Sequence, residues 1–160
     1  MMNIKENPVA YATVKGNKTH PDIEGRVDFY DTYKGTVLVA AIKGLPKESV
    51  GGNPGFRGFH IHAGGACTEN AKGEFTSAGS HYNPENTPHP SHAGDLPPLL
   101  GNDGTAWMAV YTDRFYPEDI VGHTVIIHEN ADDFHTQPSG NAGEMIACGE
   151  IMAWDSDNFH

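Results

Sequence analysis

Residues 25–33, GRVDFYDTY, and 35–43, GTVLVAAIK, follow one another with a single lysine between them. In the first, apolar side chains return at every second residue, Val27 and Phe29; in the second they form a short run from Val37 to Ile42. Alternation and short apolar runs bounded by turn residues are the pattern of strands rather than helices. The same pattern recurs at 8–15 (PVAYATVK), 57–62 (RGFHIH), 104–112 (GTAWMAVYT), 122–128 (GHTVIIH) and 146–153 (IACGEIMA), and one more strand is predicted near 93–97. Lys15-Gly16-Asn17 and Asn102-Asp103-Gly104 lie between such runs, where glycine supplies positive φ without steric cost. The chain therefore reads as an all-β sandwich or barrel of about eight strands, many of them antiparallel neighbours. Segments 63–101 and 129–145 are long and rich in Gly, Pro, His or Asn, and are expected to be functional loops.

The 160 residues include 10 Lys+Arg and 21 Asp+Glu, a formal charge of −11. That balance argues against nucleic acid or an anionic membrane as partner. The length predicts one domain over residues 1–160, large enough to bury roughly two thirds of its unfolded surface without a metal or disulfide. No run approaches the roughly 20 apolar residues of a membrane helix, and Met1 to Val9 lack the apolar centre of an export signal, so a cytoplasmic location is the default expectation. Ten histidines are the outlying number. Six of them, His60, His62, His81, His89, His92 and His128, fall in two clusters and at one strand end.

In Arg57-Gly58-Phe59-His60-Ile61-His62 the alternation puts His60 and His62 on one face, about 6.6 Å apart along the strand. Two imidazoles so placed can reach one metal ion, although His-x-His alone is more often two surface or half-buried histidines on a strand. His81, His89, His92 and Asp95 bring three imidazoles and a carboxylate into fifteen residues of loop, a ligand set that suits a closed tetrahedral zinc site. His128 ends the apolar run Thr124-Val125-Ile126-Ile127 and draws its weight as a ligand from the others. Trp107 and Phe59 read as core side chains. Asn17-Lys18-Thr19 is a glycosylation sequon by chance rather than use. No zinc-protease helix, Gly-x-Ser-x-Gly elbow or phosphate loop is present.

Taken together, Gly58-Phe59-His60-Ile61-His62, Ala78-Gly79-Ser80-His81-Tyr82-Asn83-Pro84, His92-Ala93-Gly94-Asp95, His128-Glu129-Asn130-Ala131-Asp132-Asp133 and Gly140-Asn141-Ala142-Gly143 with Ala147-Cys148-Gly149 resemble copper/zinc superoxide dismutase, in that family's order over roughly residues 8–153. The resemblance implies a Greek-key β-barrel. It makes His60, His62, His81 and His128 copper ligands and His81, His89, His92 and Asp95 zinc ligands, with His81 bridging the two. His92 follows His89 after only two residues, a shortened zinc loop. Asp132 matches the carboxylate that links a copper histidine to a zinc histidine. Glycines 58, 79, 94, 140, 143 and 149 match positions where the family's loops turn tightly. The resemblance further implies that copper cycles between Cu(II) and Cu(I) as superoxide gives O2 and hydrogen peroxide, with His81 carrying a proton. Cys67 and Cys148 match the family's intrachain disulfide, which favours an extracytoplasmic site despite the missing signal. Members are often homodimers.

One family feature is absent. The arginine beside the copper opening falls at Met145, and the 129–145 loop carries Glu129, Asp132, Asp133 and Glu144 without Lys or Arg. Steering of an anion is expected to be weak or adverse, with His135 the one residue of that loop able to substitute in part as a cation. A dismutase of reduced rate is therefore expected. The competing readings are a relative that buffers copper and zinc without useful turnover, and an empty β-sandwich with incidental histidines.

Overall fold

The computed structural model describes residues 6–47 and 55–155, so most of the N-terminal segment inspected for an export signal lies outside the described residues. Nine strands follow in chain order: β1 (Ala10–Gly16), β2 (Glu24–Thr32), β3 (Gly35–Lys43), β4 (Phe56–Arg57), β5 (Phe59–His62), β6 (Leu99–Leu100), β7 (Ala106–Thr112), β8 (Thr124–His128) and β9 (Met145–Ala153). A 3-10 turn at Thr76–Ala78 and a four-residue helix, α1 (Pro117–Ile120), complete the regular structure of these residues. Seven strands form one curled antiparallel sheet in the order β5-β8-β9-β1-β2-β3-β7, and β4-β6 form a second, two-stranded one. The chain leaves β3 near one edge, crosses to β5 at the other, returns to β7 and crosses again to β8, which is Greek-key connectivity.

Alternation decides the inward face. Ala10, Ala12 and Val14 of β1, Val27 and Phe29 of β2, Leu38, Ala40 and Ile42 of β3, Phe59 and Ile61 of β5, and Val125 and Ile127 of β8 share one apolar core. Strand β8 is buried along its whole length. Its outward Ile126 joins Cys148, Phe75 and Ala78 in a second apolar cluster outside the sheet. Being covered on both faces is why residues 124–127 read as an unbroken run.

Four expectations need correction. Lys15-Gly16-Asn17 is not a glycine turn, because Lys15 and Gly16 end β1, paired with Cys148 and Ala147 of β9, and Gly16 has no positive φ. No strand forms at 93–97; Asp95 makes only an isolated bridge to His60, and the short strand in that region is β6, paired with β4. Residues 57–62 are not one strand, because the chain breaks at Gly58, whose N–H donates to Asn130 O and whose carbonyl accepts from His128 N. A Cβ there would stand 2.8 Å from Ala142 Cβ, so glycine lets the loop pass this close. Trp107 is not core. It lies on β7 at the edge of the sheet and is 68% exposed, whereas Phe59 is fully buried.

The turn at Asn102-Asp103-Gly104 is as expected, with positive φ at Asp103 and Gly104 between the bridged residues Asn102 and Thr105. Two long connections pack over the outer face of β5, β8 and β9. The first is tied down by the Cys67–Cys148 disulfide, which spans 81 residues. It is also held by Asn17, whose buried side-chain amide donates to Gly73 O at 3.0 Å, and by Lys18, whose ammonium donates to Ala71 O. Asn17 is thus engaged in packing and presents no free amide for a glycan.

Candidate metal centre

The outer face of β5 carries His60 and His62, with ring centroids 6.3 Å apart. The end of β8 adds His128, and the first long connection adds His81 by a backbone bridge to His62. One nitrogen from each of these four buried rings falls within 4.8 Å of the others. A second group adjoins it: His81, His89, His92 and Asp95. There, His81 Nδ1 is 2.8 Å from Asp95 Oδ1 and 3.2 Å from His92 Nδ1, and His89 Nδ1 is 3.1 Å from Asp95 Oδ2. His81 belongs to both groups.

The hydrogen bonds decide which ring nitrogen is left over. His60 Nε2 donates to Asp132 Oδ2 at 2.7 Å and His89 Nε2 to Asp132 Oδ1 at 2.8 Å. His62 Nδ1 donates to Gly79 O at 2.8 Å, and His128 Nδ1 to Gly143 O at 3.1 Å. In neutral rings the remaining nitrogens are bare lone pairs. Nε2 of His62 and Nε2 of His128 face one another at 3.4 Å. His60 Nδ1, His81 Nε2 and His89 Nδ1 are buried with no hydrogen-bond partner. Each such group costs about 1–3 kcal/mol unless something satisfies it, and lone pairs converging on one another need a cation between them.

Four of the rings, those of His60, His62, His92 and His128, are held toward the neutral form. Burial pushes His62 down to about 3, with the charge of His81 acting in the same direction. Burial, then repulsion from His60 and His62, holds His128 well below its ordinary value. Burial also lowers His60 and His92, against the pull of Asp132 and Asp95 respectively. For both carboxyls burial acts upward, but it is outweighed. Hydrogen bonding from His81 and the charges of the three rings hold Asp95 low; N–H donation from His60, His89 and Phe134 holds Asp132 far below the usual carboxylate range. Neutral imidazoles and ionised carboxylates are the forms that bind metal. The four-nitrogen group suits copper, and the three-nitrogen, one-oxygen group suits zinc.

All six histidines and Asp95 are brought together, and Asp132 joins the groups. Of the six glycines singled out, Gly79, Gly140 and Gly143 have positive φ. At Gly140 a Cβ would also run into Asp132 Oδ1 and His89 Nε2, so a side chain there would push the carboxylate off both rings. A cavity of about 490 Å³ opens on His62, His81 and His128, and Met145 lies in its wall. His135 does not. Its side chain is 79% exposed and bonded to Asp133 of its own loop. Among the described residues that line the cavity the one Lys or Arg is Lys72, on the opposite loop, accompanied by Glu74 and Glu144.

Other supporting residues gave no sequence signal. Gln137 clamps the His89 backbone, accepting from its N at 2.8 Å and donating to its O at 2.7 Å. Arg114 donates to Pro90 O and His92 O, and buried Arg57 donates to Pro46 O and Glu129 O. Their partners are backbone carbonyls or amides far along the chain, which no spacing rule connects.

The family model described as "Copper/zinc superoxide dismutase (SODC)" matches residues 23–151. The Superoxide dismutase [Cu-Zn] of Escherichia coli K12 is 37% identical over 141 residues, covering 79% of this chain and 78% of that protein. An Extracellular superoxide dismutase [Cu-Zn] of Brugia pahangi is 31% identical over 149 residues, covering 81% and 69%. Among solved structures, a SOD-like protein from Bacillus subtilis superposes with a TM-score of 0.72 at 27% identity, covering 92% of this chain and 99% of that one. Similarity of that extent, on a sheet whose outer face gathers lone pairs fit for two cations, leaves one assignment: the chain belongs to the copper/zinc superoxide dismutase family, which uses copper and zinc.

Proposed function

We propose that this chain is a single domain that converts two superoxide anions and two protons to O2 and hydrogen peroxide, more slowly than relatives with an arginine at the opening. His60, His62, His81 and His128 hold copper; His81, His89, His92 and Asp95 hold zinc. Bound copper supplies the one-electron cycling between Cu(II) and Cu(I), and zinc supplies a fixed charge without redox chemistry.

The chain's own residues do the rest. His81 is the proton carrier. Its Nδ1 is fixed beside Asp95 while Nε2 is buried without a partner, and that observation carries the reading. Asp132 orients one ring in each group, and carbonyls of Gly79 and Gly143 orient His62 and His128. The cavity gives a small anion access to His62, His81 and His128. Met145 offers that anion no positive charge, and Lys72 is set against Glu74 and Glu144, which supports the lower rate. The Cys67–Cys148 disulfide supports an extracytoplasmic site of action.

A second reading, metal buffering with little turnover, is favoured by that same uncharged or acidic opening. Native mass analysis of protein loaded with copper and zinc, together with a superoxide assay, separates the two. Two metals with superoxide removal are expected; two metals with negligible removal would make the chain a reservoir, and no metal would make it an empty scaffold.

A further inference from the structure

Met145 is left without a task by the dismutase reading. It begins β9 and is the register partner of His128 on β8 across a bulge, where the register shifts between Ile127 and His128 and skips Ile146. Ile146 and Ala147 both turn into the core, so Met145 and Cys148 lie on the other side of the sheet. That side is the one that bears the rings. Ile126, two residues before His128, packs there with Cys148 and Phe75, and half-buried Met145 packs on the same cluster. Met145 also borders the cavity onto which His62, His81 and His128 open. A flexible thioether therefore shares a wall with ring nitrogens whose lone pairs are unsatisfied.

We propose that the Met145 sulfur is an additional, soft ligand for cuprous copper at the mouth of the four-histidine group. The assignment rests on the reading that those four rings hold copper. A thioether favours Cu(I) over Cu(II) and over zinc. It donates a lone pair, breaks no bond and transfers no electron. The charges lining the cavity, Glu74 and Glu144 against Lys72, favour an incoming cation. The residue that weakens attraction of an anion thus strengthens retention of the reduced metal, and the copper couple moves to higher potential.

The test compares zinc-loaded wild type with Met145→Leu, which keeps apolar volume and removes the donor. Cu(I) is titrated anaerobically against a chromophoric chelator, Cu(II) is titrated separately, and the Cu(I) form is examined by X-ray absorption. Expected for M145L is a fall of roughly tenfold in Cu(I) affinity with Cu(II) affinity unchanged, equivalent to a drop of about 59 mV in a one-electron couple. A sulfur scatterer is expected in wild type and not in the variant. Equal Cu(I) affinities with normal Cu(II) binding overturn this assignment alone. Failure of wild type to bind Cu(II) through nitrogen overturns it together with the dismutase reading. Should M145L lose its zinc or its fold, the wild-type spectrum decides: sulfur beside Cu(I) upholds the assignment and its absence ends it.

Discussion

Asp132 accepts a hydrogen bond from His60 Nε2 at 2.7 Å, although 72 residues of chain separate them. Its other oxygen serves His89, so one carboxylate sets ring orientation in both candidate metal groups. Asp132→Asn keeps the shape but turns one acceptor into a donor facing an N–H, and one ring must rotate or change tautomer. Affinity for both metals should fall together by about 10–100-fold. Competition titrations check this, and a loss confined to one metal would contradict the shared role.

The field at the cavity gives a kinetic test. Superoxide removal by wild type should stay level or rise as the Debye length is cut from about 30 Å to about 8 Å by added salt. Met145→Arg should speed the reaction at low salt and make it fall with salt, and Lys72→Glu should slow it, because Lys72 is the cationic side chain lining the opening. A steep salt-dependent fall in wild type would show that steering survives without the arginine.

Acid should destabilise the metal-free protein, and the sign follows from the rings. His62 titrates at about 3 when folded and near 6.5 when unfolded, so between those values the unfolded chain binds more protons. Stability is then full above about pH 6.5 and is lost as pH falls toward 3. His60, His92 and His128 are shifted the same way. Asp95 and Asp132, held low, add a further loss below about pH 4, near the ordinary Asp value. Urea midpoints of the oxidised, metal-free protein at pH 8, 5 and 4 measure it. A midpoint that holds steady down to pH 4 would mean the rings are not buried neutral.

Reduction of the Cys67–Cys148 bond should lower stability by up to about 4–5 kcal/mol for a loop of this length. It should also loosen the wall where Phe75, Cys148 and Met145 pack. Unfolding midpoints with and without reductant test the first effect, and faster hydrogen exchange at residues 67–80 tests the second.

Period-two alternation is a local property, and much of the sheet followed from it. It placed His60 and His62 on one face of their strand before any pairing was known, and it located the long strands to within about two residues. It failed where a strand is only two residues long, as at Leu99–Leu100, and where edge position decides exposure, as at Trp107. The candidate ligands at 60–62 and 81–95 were legible because histidine is rare and clustered there, whereas His128, alone at a strand end, drew its weight from the others.

The amino-acid sequence alone determined the all-β class, the ring-bearing face of β5, the ligand candidates and the cysteine pair open to oxidation. The tertiary structure decided which nitrogen of each ring is free, because that depends on Asp132, Gly79 and Gly143, distant in the chain and brought near by the order β5-β8-β9. It also put Lys72, and not His135, in the wall of the opening and set Met145 opposite His128. Side-chain direction follows from the backbone of one strand, whereas partners across a sheet exist only after the chain has crossed and paired.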